Sequence, residues 1–100
     1  MSQRRARKEE EKAKRDEIMA KRRKRRSLEQ SLSSAEEKIS EAENRITALQ
    51  EDLAKPEIYN DFDKVRPLLT ELNQVKDEVK ALYEQWDELV HLLEELPEED

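Results

Sequence analysis

Glycine is missing altogether from this sequence. Without it there is no loop able to cradle a phosphate, which excludes both the P-loop and the dinucleotide fingerprint. Cysteine is missing too, which removes disulfides, thiolate metal sites and cysteine nucleophiles. A single histidine leaves no multi-histidine metal site within one chain. No stretch approaches the roughly 18 apolar residues of a membrane span, and the basic N-terminus has no apolar segment behind it to make a secretory signal. A soluble, cytoplasmic protein is the expectation, with no cofactor and no membrane partner.

What is present in abundance is charge. Of 100 residues, 46% are charged and 34% hydrophobic. Such a chain is too polar for a compact globule. It suits either disorder or a long helix pair in which only a narrow seam is buried. The charge is also divided along the chain. Residues 1–26 hold 13 Lys/Arg against 5 Asp/Glu, a net +8, and residues 27–100 carry a net −14. A basic arm joined to an acidic body suggests an anionic partner for the arm.

Periodicity decides between helix pair and disorder. Leu32, Ile39, Ile46 and Leu53 recur every seven residues, interleaved with Leu28, Ala35, Ala42 and Leu49. Beyond Lys55-Pro56 the pattern resumes in Val65, Leu72, Val79, Trp86 and Leu93, interleaved with Leu68, Val75, Leu82, Leu89 and Leu96. Sustained a/d seams of this kind predict two helices, over residues 27–54 and 64–96. Pro56 lacks an N–H and pushes Lys55 out of the α region, so the first helix should stop there. Asn60, Asp61 or Asp63 can cap the second. With Asp63 as cap, Pro67 falls in the first turn at little cost; with Asn60 or Asp61 it sits deeper. A turn over residues 55–63 with a regular helix from 64 is the preferred reading.

The short connection favours antiparallel neighbours. The fold class predicted is therefore all-α: an antiparallel two-helix coiled-coil hairpin with a basic N-terminal helical extension over residues 1–26 and an acidic tail over residues 97–100. Pairing residues whose numbers sum to about 121 sets Leu53 against Leu68, Leu49 against Leu72 and Ile39 against Leu82. It also sets the largest residue, Trp86, against the small Ala35. In residues 1–26, Glu10–Lys14, Glu11–Arg15 and Glu17–Lys21 are i,i+4 pairs in the favourable order.

Among candidate functional residues, the run Lys21, Arg22, Arg23, Lys24, Arg25 and Arg26 stands out. Clustered cations give salt-sensitive, sequence-independent affinity for RNA or DNA. The blander reading is a solvated helix face, and a third is neutralisation by the acidic end, Glu94, Glu95 and Glu98–Asp100. Tyr59 and Phe62 at the tip could stack on bases; the blander reading has them closing the end of the seam. Trp86 is expected in the seam and His91 on the outer face. The carboxylates have no cleft to desolvate them, so an enzyme is the least favoured class.

The stretch Leu28 to Leu93 resembles the C-terminal coiled-coil domain of bacterial ABC-F ATPases. The resemblance rests on Leu28-Glu29, Ile39, Ile46 and Leu49, on the tip Leu53-Ala54-Lys55-Pro56-Glu57-Ile58-Tyr59-Asn60-Asp61, and on Leu68-Leu69, Leu72 and Tyr83-Glu84-Gln85-Trp86-Asp87-Glu88-Leu89. Pro67 departs from it, where a better helix former is expected. The resemblance implies a non-catalytic fragment of a translation-associated ATPase that binds nucleic acid, ribosomal RNA or DNA, with the ribosome as a partner; the two seams facing each other within one molecule predict a monomer. The alternatives are a protein–protein coiled-coil spacer or dimerisation arm, or the helical domain of another translation factor.

Overall fold

The computed structural model describes residues 2–97, which form three helices: α1 (Ser2–Leu53), α2 (Pro56–Tyr59) and α3 (Phe62–Glu95). There is no strand among the described residues, and the molecule is elongated, 87 × 19 × 14 Å. At about 1.5 Å per residue, α1 alone runs for roughly 78 Å. The acidic residues 98–100 of the expected tail lie outside the described residues.

The seam residues are the ones that lose solvent. Ala35, Ile39, Ala42, Leu49, Leu72 and Val75 are buried, and Leu49 is 0% exposed. Ala42, Leu49, Leu72 and Val75 form one cluster, with Ile46, Leu53, Leu68, Val79 and Leu82 packed against it. Trp86, Leu89, Leu93 and Leu96 are half-buried. Polar contacts between α1 and the second half of the chain run in opposite chain sense. Arg25 Nη2 donates to the Pro97 carbonyl at 3.4 Å, Tyr83 Oη to Glu43 Oε1 at 3.1 Å, and Arg45 Nε to Glu71 Oε1 at 2.8 Å. The last two lie on either side of the predicted register, as long side chains reaching diagonally across a seam do.

The tip is built as the proline dictates. Lys55 is extended (φ −74°, ψ 131°) ahead of Pro56, which opens α2 at a position where its missing N–H costs nothing. The tip differs from an open turn: Ile58 and Tyr59 N–H both donate to the Lys55 carbonyl at 2.9 Å, making a short helix. The start of α3 also differs from expectation. Asp61, not Asp63, is the cap, its carboxylate accepting from Asp63 N–H at 3.1 Å, so the helix begins at Phe62 rather than 64. Pro67 consequently lies inside α3, beyond the first turn, where the Asp63 carbonyl loses the amide that would ordinarily bond to it.

No break separates the basic extension from the first seam helix; α1 is continuous from Ser2. Residues 3–24 are all exposed, and burial begins at Arg25 and Leu28, where α3 ends. The sequence explains why pairing stops there. The positions that continue the seam upstream are Arg25, Lys21, Ile18, Lys14 and Glu11. Ion-bearing side chains in place of leucine offer no apolar stripe for a second helix to cover. Joined to an already formed helix, the arm avoids the cost of nucleation that would make an isolated helix of its length marginal.

Candidate nucleic-acid interface

The run Lys21–Arg26 sits at the step where α3 ends and α1 continues alone. Arg25 is half-buried there and bonded to Pro97, and the other five cations of the run are exposed. A shallow recess is lined by Arg22, Arg25, Arg26 and Glu29. Of the three i,i+4 pairs expected in the arm, Lys21 closes on Glu17 at 3.4 Å, while Arg15 Nε turns to the Glu11 carbonyl at 3.4 Å. Exposed pairs of this kind contribute ~0.2–1 kcal/mol and leave the cation hydrated and accessible.

The structure adds a feature that the run of charges alone does not convey. In a continuous helix each residue advances by about 100°. On α1, every Lys and Arg of residues 3–26 except Lys24 then falls in one sector of roughly 200°, running from Lys21 through Arg25 and Arg26 to Arg23. Glu9, Glu10, Asp16 and Glu17 occupy the remaining sector, and only Glu11 intrudes on the cationic side. The signal is present in the sequence, but it has meaning only once α1 is known to be unbroken.

At the opposite end of the molecule, Tyr59 is 56% and Phe62 73% exposed. Neither closes the seam. Ile58, on α2 between exposed Glu57 and Tyr59, is half-buried instead. Lys55 donates to Asp52 Oδ1 at 3.0 Å, and that carboxylate holds the ammonium above its usual 10.5. His91 is exposed on the outer face, with Nε2 3.0 Å from Glu95 Oε1. Beside half-buried Trp86, an open groove is lined by Glu36, Glu43 and Tyr83. Both carboxylates there are exposed. Among the described residues, no group of three or more His, Cys, Asp or Glu is placed to hold a metal ion.

Within that groove the hydrogen bond to Glu43 pushes the Tyr83 phenol above its usual 10.0. Folding therefore favours the protonated phenol. The contribution is present in full below pH 10.0 and is lost as pH rises through the higher folded value. Glu43→Ala in a Tyr59→Phe background should move the Tyr83 titration downward, read by ultraviolet absorbance; an unmoved curve would contradict the contact.

These features define an elongated, all-helical accessory domain with a narrow buried seam and a charged single-helix arm. The chain belongs to the family described as the ABC transporter C-terminal domain, whose model matches residues 21–91. The match covers most of the paired body and begins at the first residue of the basic run. It marks a domain of ABC proteins distinct from their ATPase domains, in keeping with a sequence that has no glycine for a nucleotide-binding loop. No helix among the described residues is long and apolar enough to cross a membrane. No curated protein and no solved structure matches the chain significantly.

Proposed function

We propose that this chain is a non-catalytic nucleic-acid-binding module of an ABC-F type, translation-associated ATPase, acting in the cytoplasm as a monomer. Its body is an antiparallel two-helix coiled-coil hairpin, the arrangement favoured by opposed contacts such as Arg25–Pro97 and Arg45–Glu71. The ligand is ribosomal RNA or DNA, which makes the ribosome a partner.

The observation that carries this reading is the arm. Residues 1–26 bear 13 Lys/Arg against 5 Asp/Glu, and the helix they belong to projects beyond the end of α3 with residues 3–24 exposed. Packing with the body engages that surface only near its root, where Arg25 bonds to Pro97, and the body itself is acidic and would repel a polyanion. The family match supports the ABC part of the proposal, and the tip sequence Leu53–Asp61 supports the ABC-F part through its resemblance. Exposed Tyr59 and Phe62 are a second contact candidate at the far end of the rod. The test is binding of the chain to RNA and to DNA as a function of salt, with Lys21–Arg26 intact or replaced by glutamine. Salt-steep binding that vanishes in the variant supports the proposal; binding indifferent to those six residues overturns it.

A further inference from the structure

Resting on the nucleic-acid reading of the arm, we infer that the ligand is a duplex, laid lengthwise along one face of α1, and that Lys8, Lys12 and Arg15 belong to the binding surface as much as the run Lys21–Arg26.

Geometry is the first ground. Residues 2–24 of α1 form roughly 35 Å of single helix, and over that length the cations other than Lys24 are gathered on one broad side, with Glu11 the one acid among them. A straight, one-sided line of charge complements a stiff polyanion that is itself straight over this distance. A duplex meets that condition, since DNA has a persistence length of about 50 nm. The acidic sector, with Glu9, Glu10, Asp16 and Glu17, is then turned away from the phosphates.

Composition is the second ground. Proteins that hold single strands combine a basic track with aromatic platforms on which bases stack. Residues 1–26 contain no Phe, Trp or Tyr. The exposed aromatics lie away from the arm: Tyr59 and Phe62 beyond Leu53, roughly 40 Å along α1 from Arg26, and Tyr83 bonded to Glu43, roughly 25 Å along it and flanked by carboxylates that would repel a strand. The arm offers phosphate contacts without stacking, and a duplex with its bases already paired requires nothing more.

The experiment compares a DNA duplex, an RNA duplex and a single DNA strand of equal length, each titrated with the full chain over a range of salt. Two variants carry the same charge change: Lys8→Gln/Lys12→Gln/Arg15→Gln on the arm and Lys38→Gln/Lys76→Gln/Lys80→Gln on the body. Glutamine keeps helix propensity close to that of lysine and arginine, and circular dichroism checks that helicity is kept.

For duplex DNA the arm variant should lower the slope of log K against log salt by about 2–3, at roughly 0.9 for each phosphate no longer neutralised. The body variant should leave it unchanged. At least one of the two duplexes should bind about tenfold more tightly than the single strand, and which of them does so identifies the backbone preferred. Equal binding of duplex and single strand, or equal effects of the two variants, would overturn the inference. If binding is lost on neutralising Lys21–Arg26 but the upstream triple variant behaves as wild type, this inference fails while the nucleic-acid function stands. Absence of any binding by the wild-type chain would remove both.

Discussion

Leu49→Asp should abolish the cooperative thermal transition followed by far-ultraviolet circular dichroism. Leu49 is 0% exposed and belongs to the central cluster with Ala42, Leu72 and Val75. Truncating a buried leucine costs about 2–5 kcal/mol through lost transfer energy and the cavity left behind. Aspartate adds the cost of placing a carboxylate where no partner is available. In a molecule with only a narrow seam to oppose chain entropy, either effect alone is a large part of total stability. Ile46→Asp and Leu82→Asp, at half-buried seam positions, should act in the same direction. Ile18→Asp is the control. Ile18 sits in the arm, 45% exposed, and its replacement should stay within about 0.5 kcal/mol of wild type. A Leu49→Asp melt indistinguishable from wild type would mean that the seam is misassigned.

The second large effect concerns binding. Converting Lys21–Arg26 to glutamine removes six positive charges and turns the net charge of residues 1–26 from +8 to +2. If each cation neutralises a phosphate, the salt dependence on duplex DNA should flatten by up to about 5 in log–log slope. At low salt the affinity should fall by at least about a hundredfold, because counterion release supplies nearly all of non-specific binding. Thermal stability should change little, since five of the six side chains are exposed and Arg25, the half-buried one, is held by a single long bond to Pro97. A variant that melts with wild type yet keeps its affinity would place the ligand elsewhere, with Tyr59 and Phe62 the next residues to replace.

The long-range order of this protein is legible in its sequence because the seam is written with one simple rule. A seven-residue apolar repeat in a mostly charged chain admits few readings, and Pro56 marks where the first repeat must stop. Pro67 marks a difficulty but cannot resolve it, because Asp61 and Asp63 are both competent caps and only local geometry selects between them. The exposure of Phe62 goes with that choice: it is the first residue of α3, directly after the Asp61 cap, and the heptad series carried upstream from Val65 and Leu68 falls on Ile58 and Asp61 instead. The cross-helix pairs Arg45–Glu71 and Tyr83–Glu43 join long, flexible side chains at diagonal positions, which a register argument based on apolar residues does not reach. The arm poses a different difficulty. Its cations are plain, but with marginal local propensity and few apolar residues its helicity depends on continuity with the paired body. Without that continuity, the one-sided distribution of Lys8, Lys12 and Arg15 is only a string of charges.

The pairing of α1 with α3 is tested most directly by the distance between spin labels placed through Ser33→Cys and Glu88→Cys, in a chain with no native cysteine to compete. Labelled protein would be diluted with unlabelled chain, so that only pairs within one molecule report. Packed helix axes lie about 8–10 Å apart, and with label arms included the separation should fall at roughly 10–25 Å. A separation of about 40 Å or more, or a short one that disappears on dilution, would contradict the pairing of the two helices within a single molecule, and with it the projection of the basic arm.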